Sequence, residues 1–216
     1  MNLILFGPPG AGKGTQTDML SKHFNLFKVA TGNLLRNEIL KKSLLGKKIK
    51  SIVDRGSLVS DSIMNNLIEN LLSQKKLFNR LIFDGYPRTL NQAENLENSI
   101  KKFNQKILCV LSLNVDKKII IKRIMGRQIC SKCGLIFNEY FNSASKRDHK
   151  CGVNFLQKRS DDNQSTIETR YETYLKQTAP IVDYYKDKNL LYEINGVGEI
   201  SNIYAEIKAI ISGLKG

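Results

Sequence analysis

Gly7-Pro8-Pro9-Gly10-Ala11-Gly12-Lys13-Gly14-Thr15 lies near the start of the chain and contains the pattern G-x-x-x-x-G-K. The apolar run Asn2–Phe6 precedes it, and a helical pattern, Lys13–His23, follows it. In this context glycines let backbone N–H groups approach phosphate oxygens, and the helix N-terminus adds partial positive charge. We therefore predict a phosphate-binding loop for a nucleoside triphosphate, in which Lys13 supplies a point charge to the β- and γ-phosphates.

Strands and helices alternate along the rest of the chain. The predicted strands are Asn2–Phe6, Phe27–Ala30, Arg80–Asp84, Lys106–Val115 and Leu190–Ile194. The predicted helices are Lys13–His23, Gly32–Lys42, Asp61–Ser73, Thr89–Lys101, Lys117–Gly126, Thr166–Tyr185 and Ile200–Leu214. Pro180 should kink or divide the sixth helix. The alternation predicts an α/β fold: a five-stranded parallel sheet with helices on both faces, in three layers.

Two segments interrupt the alternation and predict inserts on the sheet core. Residues 30–59 are helical but have no strand after them until residue ~80, and residues 126–163 read as loops and short strands. The core is then assembled from residues 1–29, 60–125 and 164–216. Inserts at the carboxyl ends of parallel strands lie where ligands bind in such folds.

Composition narrows the class of protein. The 216 residues are 41% hydrophobic, and no run approaches the length of a membrane span. The first residues, Met1–Gly7, lack the features of a signal peptide, so a cytoplasmic location is expected. The net charge of +14 suits a nucleic-acid partner, an anionic small substrate or a lysine-rich surface without a specific partner.

The four cysteines fall into two groups: Cys109 stands by itself, whereas Cys130, Cys133 and Cys151 cluster in sequence. Cys109 lies in an apolar run and is predicted to be a small core residue. Cys130 and Cys133 form a CxxC turn, and Cys151 follows at a distance. In a cytoplasmic chain such a cluster favours a metal over disulfides.

Several segments resemble the adenylate kinases over nearly the whole chain. The phosphate loop has the Gly-Lys-Gly-Thr form of that family, with Gly14 where most such loops have Ser or Thr and Thr15 next. Ala30-Thr31-Gly32-Asn33-Leu34-Leu35-Arg36, Gly56-Ser57-Leu58-Val59 and Phe83-Asp84-Gly85-Tyr86-Pro87-Arg88-Thr89-Leu90-Asn91-Gln92-Ala93 are similar to its AMP-binding segments. The resemblance implies Mg²⁺-dependent, reversible transfer of a phosphoryl group from ATP to AMP, giving two ADP.

The resemblance also assigns residues to the two nucleotides and to the chemistry. For ATP they are Gly10, Ala11, Gly12, Lys13, Gly14, Thr15, Arg123, Arg127, Ile136, Phe137 and Gly198. For AMP they are Thr31, Arg36, Ser57, Leu58, Val59, Gly85, Tyr86, Pro87, Arg88, Gln92, Arg159 and Arg170. The catalytic set is Lys13, Asp84, Arg88, Arg123, Arg127, Arg159 and Arg170.

The residue types fit these assignments. Asp84 ends a strand beside the loop, where a carboxylate holds hydrated Mg²⁺. Arginines neutralise phosphate oxygens, and phosphoryl transfer needs positioning and charge neutralisation more than covalent chemistry. Taken alone, Gln92 would be read as a solvated helix residue. The resemblance implies that Phe137 lies near the ATP base, but Ile136 and Phe137 could equally be core residues of the lid.

Long bacterial adenylate kinases carry a zinc-bearing lid, which the cysteine segment resembles. By that likeness Cys130, Cys133, Asp148 and Cys151 would hold a structural Zn²⁺. Asp148 is three residues before Cys151, as Cys130 is before Cys133, whereas His149 is the competing fourth ligand. A lid that folds without metal is the third option.

Three other functions are alternatives to phosphoryl transfer from ATP to AMP. A UMP/CMP kinase shares the loop but usually has a short lid. A nucleic-acid-binding zinc module would explain the charge and the CxxC turn, but aromatic residues do not cluster with the lysines. A nucleotide-binding regulator would not need the arginine set. The expected partners are ATP, AMP and ADP, without nucleic acid or membrane, and the expected state is a monomer.

Overall fold

The central sheet forms around the first strand, whose residues are all buried. The computed structural model describes residues 1–144 and 149–214. Its strands are β1 Asn2–Phe6, β2 Phe27–Ala30, β3 Leu81–Asp84, β4 Ile107–Asn114, β5 Arg127–Cys130, β6 Ile136–Asn138, β7 Leu156–Gln157 and β8 Leu191–Asn195. Five of them form a parallel sheet in the order β2-β3-β1-β4-β8, which confirms the predicted fold.

Helices cover both faces of this sheet. They are α1 Lys13–Phe24, α2 Thr31–Leu40, α3 Leu44–Asp54, α4 Asp61–Leu72, α5 Leu90–Lys102, α6 Lys117–Met125, α7 Gln164–Thr173, α8 Ala179–Lys186 and α9 Ile200–Gly213. Side chains alternate across β1, so Leu3 and Leu5 pack in one cluster with Leu20 and Ile207. Ile4 and Phe6 belong to the cluster on the other face. A three-layer core is the result.

The strand register brings the candidate residues to one edge of the sheet. Asp84, the last residue of β3, pairs with Leu5 on one side and with Ala30 on the other. The phosphate loop follows β1, and Thr31 opens α2 directly after β2. Because carboxyl ends of parallel strands share one edge, Asp84 stands between the loop and the start of the first insert.

The predicted helix Thr166–Tyr185 is divided, as Pro180 indicated. Helix α7 is followed by a π-helical segment, Tyr174–Thr178, and α8 begins at Ala179. Proline has no N–H to donate, so it fits in the first turn of α8 and the regular ladder ends before it. The wider π turn joins the two helices.

The second insert forms a small sheet of its own, with antiparallel order β6-β5-β7. Its apolar centre is a cluster of Cys130, Phe137 and Ala144. So small a cluster provides little hydrophobic stabilisation. Among residues 1–144 and 149–214, every helix is too short or too polar to span a lipid bilayer.

Candidate active site

A cleft of roughly 400 Å³ opens at the carboxyl edge of the sheet. The sheet core and both inserts contribute to its walls. All the described ATP-, AMP- and chemistry-assigned residues except Tyr86 line it. One continuous cleft therefore brings together residues that are distant in sequence, from the phosphate loop to Gly198.

The phosphate loop is shaped by glycines. Gly12 has a φ of 100°, which favours glycine. A Cβ there would meet no other atom within 4 Å, so the space beside this residue is open. At Gly10 a Cβ would come within 2.8 Å of Ile124 Cγ1, so close packing against α6 also requires glycine. Helix α1 begins immediately after Gly12, and its N-terminus points partial positive charge at the loop.

Lys13 holds the loop closed through its ammonium group. Its Nζ donates to the carbonyl oxygens of Gly7 at 2.7 Å and Pro8 at 3.0 Å. Burial, with the charges of Arg88 and Arg127 adding to it, lowers the pKa of Lys13 to about 8, although Asp84 acts in the opposite direction. A bound polyphosphate would reverse this balance by supplying negative charge.

The Asp84–Arg88 turn carries a second cation next to Asp84. Arg88 Nε donates to the carbonyl of Gly85 at 2.8 Å, and Thr31 Oγ1 donates to the same oxygen at 2.8 Å. Burial lowers the pKa of Arg88, whereas Asp84 opposes that shift. The guanidinium is thus fixed at the entrance of the first insert, where a phosphate would find planar donors.

Gln92 is buried, not solvated. Its Oε1 accepts from the backbone N–H of Arg88 at 2.8 Å, and its Nε2 donates to Asp61 Oδ1 at 2.6 Å. An amide has two acceptor and two donor positions, so one of each remains for a base. Asp61 also accepts from Thr89 Oγ1 at 3.0 Å and fixes the start of α5.

Tyr86 differs from its neighbours in the predicted AMP set. It is 1% exposed, and its hydroxyl donates to Asn65 Oδ1 at 2.8 Å. Its ring packs in the core beneath the turn, near Phe83. The structure therefore places Tyr86 under the site, whereas Gly85 and Pro87 on either side of it line the cleft.

Two arginines from the second half of the chain are held by adjacent aspartates. Arg127 forms a two-pronged ion pair with Asp162, with Nε donating to Oδ2 at 2.8 Å. Arg170 pairs with Asp161. Asp162 is 1% exposed at its side chain, so these pairs are largely shielded from water and well ordered.

Arg159 lacks such a partner. Within the described residues, its Nε is buried without a hydrogen bond. Burial, followed by the charges of Arg127 and Arg36, lowers the pKa of Arg159. An unpaired buried donor among like charges is costly, so an anion in the cleft would be stabilised there.

Arg123, one of the residues assigned to ATP, lies on α6. Arg123 donates to the carbonyl of Ala11 at 3.2 Å and to that of Gly196 at 2.9 Å, linking the phosphate loop to the loop that contains Gly198. Ile136 reaches over Gly14, since a Cβ on Gly14 would lie 3.8 Å from Ile136 Cδ1. Phe137 is 1% exposed and packs in a cluster with Cys130 and Ala144, and it also borders the cleft.

A possible metal site lies in the second insert. The ligand atoms of Cys130, Cys133, His149 and Cys151 all lie within 4.8 Å of one another. Tetrahedral zinc with thiolates at about 2.3 Å needs ligand atoms about 3.7 Å apart, so the set is close to binding geometry. The predicted ligand Asp148 lies outside the described residues. His149 Nε2 is 3.6 Å from Cys133 Sγ.

The lining or anchoring residues that were not predicted from sequence include Lys28, Asp61, Phe141 and Asp161. The consecutive acids between Arg159 and Arg170 were a usable signal for Asp161 and Asp162, because buried arginines require counter-charges. Phe141 stands under the guanidinium of Arg123, with 5.7 Å from Arg123 Cζ to the ring centroid. No local pattern marks Lys28, which the strand register alone brings to the cleft.

Known proteins are similar to this chain over nearly its whole length. The family model for adenylate kinase matches residues 5–190. An adenylate kinase of Pelagibacter ubique (strain HTCC1062) is 47% identical over 211 residues, covering 98% of this chain and 99% of the relative. Adenylate kinases of Bacillus cytotoxicus and Methanocella arvoryzae are 40% and 41% identical over 216 residues, covering 99% of this chain and 100% of each relative. The chain belongs to the adenylate kinase family.

Proposed function

We propose that this chain reversibly transfers the terminal phosphoryl group of ATP to AMP and forms two molecules of ADP. The observation that carries this proposal is a single cleft with two cationic centres, which we propose bind the phosphates. One centre is the loop with Lys13, and the other is formed by Arg36 and Arg88 at the first insert. Asp84 lies between them at the end of β3.

In this mechanism the protein positions two anions and neutralises their charge. A phosphate oxygen of AMP attacks the γ-phosphorus of ATP, the bond from that phosphorus to the β-bridging oxygen breaks, and ADP leaves as an anion. No general base is required, because the attacking oxygen is already anionic. Lys13 and the arginines supply charge to the transferring group. The arginines that line the cleft are Arg36, Arg88, Arg123, Arg127, Arg159 and Arg170.

The ion pairs observed in the cleft suggest how the arginines are kept ready. Arg127 and Arg170 are oriented by Asp162 and Asp161 without leaving the cleft wall. Arg159 keeps an unpaired donor for the phosphate itself. Groups that are already oriented need little reorganisation when charge develops in the transition state.

The chain also offers a fitting place for Mg²⁺. The Asp84 carboxylate, 17% exposed at its side chain, faces the cleft next to Gly14. Thr15 lines the same region. Carboxylate and hydroxyl oxygens suit a hydrated Mg²⁺, which when bound would neutralise charge on the β- and γ-phosphates. We propose Asp84 and Thr15 as the residues that would hold it, Asp84 through water.

A structural Zn²⁺ in the lid is part of the proposal. Three thiols and an imidazole form a donor set that zinc prefers, and four protein ligands leave no open position for catalysis. The observed cluster supports His149 as the fourth ligand, and Asp148 is the alternative. The metal would compensate for the small apolar centre of the lid.

The two inserts, residues 30–59 and 126–163, are proposed as the AMP-binding and lid segments that close over the substrates. Closure would exclude water, which otherwise competes for the phosphoryl group. Residues 1–29, 60–125 and 164–216 would form the core. A monomer in the cytoplasm, without membrane or nucleic-acid partners, completes the proposal, since both substrates fit within one chain.

The deciding experiment is a coupled assay of ADP formation with ATP, Mg²⁺ and each of AMP, GMP, CMP and UMP. Fast turnover with AMP alone is expected. Turnover with another monophosphate would retain the reaction class but mean that Thr31 and Gln92 do not select adenine. Absence of turnover with all four would leave a binding site without the proposed activity.

A further inference from the structure

Lys28 brings an additional cation to the flank of the phosphate loop. It lies on β2, and its side chain, 19% exposed, reaches into the cleft. Its Nζ donates to the carbonyl of Gly14 at 3.1 Å and to Asp18 Oδ1 at 2.7 Å. The same nitrogen is 3.7 Å from Asp84 Oδ2. One ammonium group is therefore shared between two carboxylates and the first turn of α1.

The position of Gly14 adds to this observation. A Cβ there would lie 3.6 Å from Asp84 Oδ2 and 3.9 Å from Lys28 Nζ. A side chain at this position would therefore be in van der Waals contact with both charged groups, and the glycine leaves that volume free. Any cation that approaches Asp84 from this side enters the field of Lys28.

We propose that Lys28 is a positioning residue that neutralises Asp84 when no metal is bound, and thereby sets how strongly nucleotide binding depends on Mg²⁺. The inference rests on the proposed function, in which Asp84 is the carboxylate that holds hydrated Mg²⁺. Two cations next to one carboxylate repel each other, so Lys28 opposes metal binding at Asp84. In the absence of metal it supplies positive charge near the nucleotide phosphates.

Asp18 allows a test, because substitutions of Asp18 and of Lys28 are expected to change the Mg²⁺ dependence of nucleotide binding in opposite directions. Asp18 is half exposed and draws the ammonium away from Asp84. Removing the Lys28 charge frees Asp84 for the metal, whereas removing the Asp18 charge directs Lys28 toward Asp84. A mere salt bridge between Lys28 and Asp18 would make the two substitutions equivalent, since either one breaks it.

The experiment measures ADP affinity by calorimetry in EDTA and in saturating Mg²⁺, and compares the two as the ratio Kd(EDTA)/Kd(Mg²⁺). For Lys28→Gln this ratio is expected to rise about three- to tenfold, the size of a partly screened interaction between nearby charges. For Asp18→Asn it is expected to fall. Lys28→Arg should stay close to the unmodified protein, because it keeps the charge.

Lys22→Gln is the matched control, since it removes an exposed charge from the last turn of α1, away from the cleft. It should leave the ratio unchanged. An unchanged ratio in Lys28→Gln, or shifts of the same sign in Lys28→Gln and Asp18→Asn, would overturn the inference. Failure of the proposed function would appear separately, as a lack of AMP turnover in the unmodified protein.

Discussion

At the scale of single residues, the site depends on charges that the fold has partly removed from water. Lys13 is bound to two carbonyls of its own loop, and a buried donor of Arg159 has no partner in the described part of the chain. Both have a pKa lowered by burial and by neighbouring cations. Such groups are held at a cost in the free protein, and a polyphosphate relieves that cost.

Lys13 gives a prediction with a definite sign. Its pKa of about 8 in the free protein should rise when ADP binds, because phosphate charge stabilises the ammonium. Binding near pH 8 to 9 should therefore take up protons, and ADP affinity should fall as the pH rises above about 8. Calorimetry in buffers of different ionisation enthalpy measures this uptake.

Lys13→Ala is the companion variant for that measurement. It should fold, should lose the proton uptake, and should lower turnover by about a hundredfold or more, as removal of one transition-state donor does. Near-normal turnover, or uptake that persists in Lys13→Ala, would contradict the role of this lysine.

At the scale of elements, neighbouring segments of the site are tied together by a few polar contacts. Thr178, at the end of the π-helical segment, donates to the carbonyl of Arg88 at 3.0 Å. Thr166 of α7 donates to the carbonyl of Asp54, the last residue of α3, at 3.4 Å. The α7–α8 region thus contacts both the Asp84–Arg88 turn and the first insert.

The lid is the element whose stability is expected to depend on a metal. Cys130→Ser, or treatment with a strong chelator, should lower the melting temperature by several degrees, because the lid has only a small apolar cluster. Turnover at low temperature should change less. Differential scanning calorimetry and elemental analysis provide the two readouts.

Paired substitutions identify the fourth ligand in the same experiment. His149→Asn should lose zinc and Asp148→Asn should retain it, if the observed cluster is the binding set. The reverse result would restore Asp148. A protein that contains no zinc and melts identically after Cys130→Ser would contradict a structural metal in this lid.

At the scale of the whole molecule, part of the excess positive charge, +14 in total, lies in the cleft. Eight of the described cations line the cleft: Lys13, Lys28, Arg36, Arg88, Arg123, Arg127, Arg159 and Arg170. The carboxylates Asp84, Asp161 and Glu199 line the cleft as well, so its charge is positive on balance. A concave site with an excess of positive charge attracts anionic substrates and raises their rate of encounter. The basic composition is therefore consistent with small polyanions as partners.

Ionic strength should separate this attraction from the chemistry. From about 0.02 to 0.3 M salt, kcat/KM for ATP and for AMP is expected to fall several-fold, because screening weakens long-range attraction. The closed site is shielded, so kcat should change less. Two salts of equal ionic strength distinguish screening from competition by one anion, and a constant kcat/KM in both would contradict electrostatic attraction.

Local sequence patterns were sufficient to predict several parts of this protein. The phosphate loop, the alternating strands and helices, and the division at Pro180 depend on backbone geometry and hydrophobic periodicity, which neighbouring residues determine. The same reasoning placed Cys109 in the core, where it is fully buried. Resemblance to a family then supplied the arginines and the Asp84–Gln92 segment.

Tertiary structure decided which side chains meet. The register of β2 against β3 brings Lys28 to Asp84, and the packing of the turn places Tyr86 beneath the cleft and buries Gln92 against Asp61. It also brings His149 to the three cysteines and pairs Asp162 with Arg127. These contacts join residues far apart in sequence, so they depend on strand order and packing, which no local pattern encodes.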